Sequence, residues 1–474
     1  MLFNSVEFAL FLPITFSVFW LCRHQVSRNF VVLIASYIFY GWWDPRFLFL
    51  IIASSAIDYC VGLTLGKARK SWKRNLLLGV SLCANLGMLG VFKYYDFFTE
   101  SLRQAASQAG IELGLPTLNL VLPVGISFYT FQTLSYTIDI YRKQLEPTKD
   151  AVAFFAFVAF FPQLVAGPIE RASHLLGQFT IEKKFEYESA REGMCRILWG
   201  MFKKVVIADQ CGALANPIFA NYESMPGSVL VLGAIYFAIQ IYCDFSGYSD
   251  IAIGTAKLFG FELMENFKLP YFSRDPAEFW RRWHVSLSGW FRDYIYVPLG
   301  GSRVSRWVTI RNTLIVFLVS GLWHGANWTF VCWGFLHWLY FLPLLLLGTN
   351  RRNVESESGG GHLIPSIRDM TGMTMTFMAI TLAWVFFRSP TFADSIGYIG
   401  GMLDPSLFSM PKVYRSGLLW IGVLFIIEWI QKKKTFVLEI SRLPTPVRWV
   451  IYALLVLLCL SHYRASSEFI YFQF

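Results

Sequence analysis

Apolar residues run along this chain in about a dozen blocks near the ~20 residues that cross a bilayer, and short polar loops separate them. The blocks fall at 8–21, 29–43, 47–65, 75–98, 117–138, 194–218, 228–245, 308–323, 329–347, 371–387, 416–430 and 447–461. The pattern predicts an all-α polytopic membrane protein with about 11–12 transmembrane helices plus re-entrant or interfacial pieces.

One more apolar stretch, 151–169, breaks the pattern. It ends Phe161-Pro162-Gln163-Leu164-Val165-Ala166-Gly167-Pro168, where two prolines and a glycine interrupt a helix. Charge gives a second reason to treat it separately. Basic residues cluster at Lys67, Arg69, Lys70, Lys73 and Arg74, at Lys432-Lys433-Lys434, and along Arg274 to Arg311. Cytoplasmic loops carry such clusters. All three share the cytoplasmic side only if 151–169 does not cross, which also keeps Lys183, Lys184 and Arg191 inside and puts both termini outside. Broken backbone at membrane depth survives where protein or a water-filled cavity covers it. A simple crossing with some basic residues outside is the alternative.

Composition agrees. The chain is 55% hydrophobic and 15% charged, so no long soluble domain remains between the spans. Residues 1–474 read as one integral membrane domain, with 465–474 as an aromatic tail on the outer face. The net charge of +10 is spread over short loops and does not argue for nucleic acid. The eight cysteines are scattered singly, without a ligand or disulfide spacing, so no metal site is expected. Met1 to Glu7 carries no basic stretch ahead of the first apolar block, which predicts that this span is retained.

Histidine supplies the first candidate chemistry. His324 lies in Ser320-Gly321-Leu322-Trp323-His324-Gly325, between two membrane-length apolar blocks. An ionisable group there is costly, and imidazole exchanges protons near neutral pH. Gly321 and Gly325 permit close backbone approach beside it. His337 sits within a span and reads equally as a packing residue, while His24, His174, His362 and His462 fall in loops or at span ends. His284 belongs to Glu278-Phe279-Trp280-Arg281-Arg282-Trp283-His284, too short and charged to span. That segment is either a surface helix with snorkelling arginines or a site where Arg281, Arg282 and Trp283 meet an anionic donor. A third cluster, Asp244-Phe245-Ser246-Gly247-Tyr248-Ser249-Asp250, offers Asp244, Ser246 and Asp250 as a polar lining, a hinge, or partners for nearby arginines. No phosphate-binding glycine loop, nucleophile elbow or zinc helix is present.

Taken together the chain resembles the membrane-bound O-acyltransferase (MBOAT) family, in its bacterial branch that O-acetylates alginate, cellulose or peptidoglycan. The likeness rests on Leu2-Phe3-Asn4-Ser5, on Leu122 to Gln132, on Phe160 to Ile169, on Asp244 to Asp250, on Trp283 to Ser288 and on Gly321 to Gly325. It implies a ring of tilted helices around a central funnel, His324 as the catalytic histidine, and His284 as a second polar signature position. Gln132 and Gln163 lie in the matching stretches and become candidates for the cavity lining. The resemblance further implies acetyl-coenzyme A as donor substrate with no bound cofactor, a polysaccharide acceptor, an extracytoplasmic transferase or esterase-like partner, surrounding membrane lipid, and a bacterial inner-membrane location.

The last residues, Glu468-Phe469-Ile470-Tyr471-Phe472-Gln473-Phe474, carry two readings. Their composition suits an aromatic membrane anchor. They also look like a terminal tyrosine motif of cell-envelope acylation systems, in which Tyr471 would carry the acyl group. The rivals to an enzyme are a transporter or polymer channel with histidines in its pore, or a scaffold for a secreted transferase.

Overall fold

The computed structural model describes every residue except Ala166, 354–363, Lys412, 464–468 and 471–474, and among the described residues no strand forms. The chain makes two compact units. The first comprises Met1–Ala190 with Thr255–Met264, and the second Arg191–Gly254 with Glu265–Phe474. His362 and Tyr471 lie outside the described residues.

In chain order the first helices are α1 (Val6–Leu21), α2 (Gln25–Gly41), α3 (Leu48–Lys67), α4 (Ser71–Leu89), α5 (Tyr95–Gln108), α6 (Ile126–Tyr141), α7 (Ala151–Ala159), α8 (Phe161–Leu164) and α9 (Ala172–Leu175). They are followed by α10 (Tyr187–Met201), α11 (Asp209–Ala220), α12 (Gly227–Leu258), α13 (Pro276–Arg282), α14 (Val285–Phe291), α15 (Arg306–His324) and α16 (Trp328–Leu346). The last are α17 (Ile367–Arg388), α18 (Phe392–Met402), α19 (Leu418–Ile430) and α20 (Thr445–His462). Each of the twelve apolar blocks falls on helix, wholly or in part. Among the described residues six helical runs are long and apolar enough to cross a membrane: Pro45–Lys67, Ser71–Gln108, Gly227–Leu258, Trp328–Leu346, Ile367–Arg388 and Thr445–His462. The other blocks form helices that are shorter or more polar, as where Lys203 and Lys204 interrupt 194–218.

Three boundaries differ from the sequence pattern for identifiable reasons. The run expected to end at 98 continues to Gln108, because a π turn over Gly90–Tyr94 joins α4 to α5 without a break. The block at 117–138 becomes helical only at Ile126. Pro123 cannot donate within a helix, and Gly125 takes a left-handed φ of 77°, with a side chain there meeting the Leu164 carbonyl at 2.7 Å. The span expected to end at Phe245 runs on to Leu258, because the polar residues of Asp244 to Asp250 find partners and stay helical.

The stretch at 151–169 folds as two short buried helices with a break at Phe160 (φ −49°, ψ 105°). At 1.5 Å per residue α7 is only about 14 Å long, half a bilayer core. Its last carbonyls have no helical partner. Gln132 and Gln163 supply one, since the Nε2 of each donates to the Phe157 carbonyl, at 2.6 Å and 3.3 Å.

Within the first unit α3, α4 and α6 share a buried polar network. Asp58 accepts from Ser81 Oγ at 2.5 Å and from Asn85 Nδ2 at 2.7 Å. Asn85 Oδ1 in turn accepts from Ser54 Oγ and Thr133 Oγ1. Such bonds hold helices together where the surroundings offer no hydrophobic drive.

Candidate active site

The second unit carries both histidine candidates, His284 and His324. Helix α13 starts at an Asp275-Pro276 pair: Asp275 accepts the Glu278 amide at 2.7 Å, and proline occupies the first helical position. The carboxylate of Glu278 reaches back to the Arg274 amide at 2.8 Å. The helix stops at Trp283, and His284 takes a left-handed conformation (φ 43°, ψ 54°) before α14 begins. For a residue with a Cβ that conformation costs about 1–2 kcal/mol. Neighbouring strap residues hold it there. Val285 donates to the Asn266 carbonyl at 3.0 Å, and the Lys268 amide to the Arg282 carbonyl at 2.9 Å.

Asn266 also orients the imidazole. Its Oδ1 lies 3.0 Å from His284 Nδ1 and accepts Ser286 Oγ at 2.9 Å. An amide oxygen facing Nδ1 makes that nitrogen the N–H donor and leaves the lone pair on Nε2. His284 is fully buried, and its Nε2 has no hydrogen-bond partner among the described residues. A buried polar atom in that condition calls for an explanation.

His324 is the last residue of α15 and is buried as well. Its ring centroid is 6.5 Å from that of His284. Trp323, Trp333 and Phe387 surround it at centroid distances of 4.9 Å, 5.0 Å and 5.4 Å, all steeply inclined. The glycines beside it are required by contact. A Cβ on Gly321 would sit 2.3 Å from the Phe330 carbonyl, and one on Gly325 would enter the Phe330 ring at 2.1 Å. They let α15 and α16 close into a tight hairpin that ends at the histidine.

A cavity of about 360 Å³ opens beside this centre, lined by six cations (Arg196, Lys203, Lys268, Arg282, Lys432, Lys434) and three carboxylates (Asp250, Glu265, Glu428). It gathers residues from two of the basic clusters assigned to the cytoplasmic side. One of its walls, Phe267, lies 6.4 Å from the His284 ring. Arg282 is held by Glu278 at 2.8 Å while facing the cavity. Its sequence neighbours do other work. Arg281 donates to the Asn350 carbonyl at 2.9 Å, and Trp283 is fully buried against Phe279, Phe267 and Trp384. The three donor candidates are therefore not one cluster.

The acidic cluster faces two lysines and one arginine, Arg196, whose guanidinium lies 4.0 Å from Asp250. Lys203 bonds Ser246 Oγ at 2.8 Å and Asp250 at 2.6 Å, while Lys204 pairs with Asp244 at 2.8 Å and Asp209 at 3.0 Å. Both lysines lie on a π segment, Phe202–Ala208. Glu428 of α19 accepts from the Tyr242 hydroxyl at 2.7 Å. Lys203, Lys204, Asp209 and Glu428, with Asn266, were not singled out from sequence. Two adjacent lysines and a glutamate inside apolar blocks were the available signal. Gln132 and Gln163 belong to the first unit, where both bond Phe157. His337 accepts from Trp280 Nε1 at 3.2 Å among packed rings, which fits the packing reading. Among the described residues no group of three His, Cys, Asp or Glu side chains could hold a metal ion.

Comparison with known proteins identifies the family. The family model for membrane-bound O-acyltransferases matches residues 141–383, which include α12 to α16 and both histidines. The chain is 38% identical to the probable alginate O-acetylase AlgI of Pseudomonas aeruginosa, over 90% of this chain and 80% of that one. It is 33% identical to the peptidoglycan O-acetyltransferase of Helicobacter pylori, over 85% and 80%. The teichoic acid D-alanyltransferase of Streptococcus thermophilus is 28% identical over 57% of this chain and 70% of its own length. The relatives support an O-acyltransferase enzyme over a channel or scaffold. The chain is a multi-pass member of the membrane-bound O-acyltransferase family.

Proposed function

We propose that this O-acyltransferase takes acetyl from acetyl-coenzyme A at the cytoplasmic face of a bacterial inner membrane and passes it outward for O-acetylation of an extracytoplasmic polysaccharide. The observation that carries the reading is the buried histidine pair, 6.5 Å between ring centroids, with one tautomer fixed by Asn266. His324 is the general base: it takes the proton of the acceptor hydroxyl while the oxygen attacks the thioester carbonyl. The C–S bond breaks as the C–O bond forms, and the proton leaves with the thiolate. His284 presents its Nε2 lone pair to the acceptor hydroxyl and so positions it.

The cation-lined cavity suits the phosphates of a coenzyme A donor, with Arg282 as the bidentate anchor. Arg281 and Trp283 hold the frame around it, and Asp250 and Ser246 keep Lys203 in place at its edge. The acceptor at the membrane is Tyr471, which hands acetyl to a separate secreted transferase. A phenol of pKa about 10 leaves more readily than a sugar alkoxide, so its ester stays activated. Relatives named for alginate and peptidoglycan support a polysaccharide as the final acceptor.

The test is peptide mass spectrometry of the purified protein after incubation with isotopically labelled acetyl-coenzyme A, beside His324→Ala. The expected result is label on Tyr471 that is lost in the variant. Thioester consumption without label on the protein would move the acceptor off Tyr471. An untouched thioester would overturn the donor assignment.

A further inference from the structure

Phe469 and Ile470 are the described residues nearest Tyr471, and both are buried in the second unit. The Ile470 amide donates to Asp244 Oδ2 at 2.7 Å, inside the protein and 226 residues away in sequence. The Phe469 ring packs on Tyr248 at 4.3 Å and lies 6.1 Å from Phe245. Phe245 in turn packs edge-on against His284 at 4.7 Å. A backbone amide and an aromatic side chain of one short segment thus enter a socket whose far wall touches the histidine centre.

The electrostatics give the socket its specificity. Lys204 is shared between the buried carboxylate of Asp244 and the partly buried one of Asp209. Asp244 uses one oxygen on Lys204 and turns the other to the Ile470 amide. A buried carboxylate needs more than one donor, and a buried amide outside regular structure needs an acceptor. Each meets the other's requirement.

We infer that Asp244, backed by Lys204, and the rings of Tyr248 and Phe245 form a docking socket for the chain's own Phe469-Ile470 segment. Asp244 is thereby a positioning residue for the segment that leads into the proposed acyl acceptor, Tyr471. The second statement rests on the reading of Tyr471 as acyl acceptor, and the first does not.

Hydrogen–deuterium exchange of the full-length protein in nanodiscs, followed by mass spectrometry of the C-terminal peptide, tests the docking. Asp244→Ala removes the acceptor. Ile470→Pro removes the donor together with the Ile470 side chain, leaves Asp244, Lys204 and Asp209 intact, and decides the matter if Asp244→Ala folds poorly. Ile470→Val keeps the amide and serves as the conservative control. Exchange in the peptide should quicken about tenfold or more in the first two variants and stay slow in the parent and the control. Equal exchange in the parent, Asp244→Ala and Ile470→Pro would overturn the socket. Acetyl label on Tyr471 should fall by a similar factor in Ile470→Pro. Quickened exchange with undiminished label would overturn the positioning role. A protected tail in a parent that never acquires label would support the socket while sinking Tyr471 as the acceptor.

Discussion

The Asp58 cluster and the His284 cluster are both polar groups buried among apolar helices, yet they end differently. Around Asp58 each carboxylate oxygen has a donor, and the Asn85 amide that serves it is itself bonded through both its oxygen and its nitrogen. Around His284 the bonds converge on one side of the ring and stop. His284 Nε2, Asn266 Nδ2 and the indole nitrogens of Trp283 and Trp333 have no hydrogen-bond partner among the described residues. A closed network braces a fold, because each group replaces the water it gave up. A buried network that ends on a basic nitrogen keeps capacity for something that comes and goes. Under the proposed function the difference marks a brace around Asp58 and a candidate reaction site around His284.

His324→Ala breaks the open side most severely. Removing a general base is expected to lower acetyl transfer about 10²- to 10⁴-fold, measured as thiol release from acetyl-coenzyme A per folded molecule. A loss under threefold would move the base elsewhere.

Asn266→Ala probes the orientation of the second histidine. Without the Oδ1 acceptor nothing keeps the proton on Nδ1, and activity should fall about 10- to 100-fold, the size of a lost buried hydrogen bond. The drop should appear in kcat rather than in the KM for donor. If KM alone rises, Asn266 serves the donor cavity instead.

Asp58→Ala tests the closed side. It strands the Ser81 and Asn85 donors inside the first unit and should cost about 1–3 kcal/mol of stability. Thermal unfolding in detergent would register the loss, while turnover per folded molecule should stay at the parent level. A variant as stable as the parent but inactive would make Asp58 part of the chemistry and dissolve the distinction between the two clusters.

Much of this was legible in the sequence, because apolar length and period dictate helices in a membrane. The glycines flanking His324 foretold the close packing against Phe330, and Pro162 with Gly167 foretold the broken segment after α7. What was not legible depends on distance in sequence. Asn266 meets His284 across 18 residues, and Ile470 meets Asp244 across 226, so no local spacing announces either bond. Asp244 and Asp250 were offered arginine partners, and the lysines that bind them were missed because they were counted within an apolar block. The π segment that turns Lys203 and Lys204 to different carboxylates has no signature in a pattern read at 3.6 residues per turn.

The smallest expected effect lies at the edge of the first unit, outside the spans. His174 Nδ1 sits 2.6 Å from Glu170 Oε2, and the other oxygen of Glu170 accepts the Met264 amide at 2.5 Å. The hydrogen bond to Glu170, opposed in part by burial, raises the His174 pKa above its usual value. A raised folded-state pKa means that the folded protein holds the proton more tightly than the unfolded chain. The stabilisation is fully present below the unfolded pKa of about 6.5 and disappears as pH climbs through the higher folded value. His174 is half-exposed, so solvent screening limits the contribution to under about 1 kcal/mol. Melting curves at pH 6 and pH 8.5 should therefore differ slightly more for the parent than for His174→Ala. An equal pH dependence in the variant would mean that the Met264 amide alone holds Glu170, and that the imidazole contributes nothing.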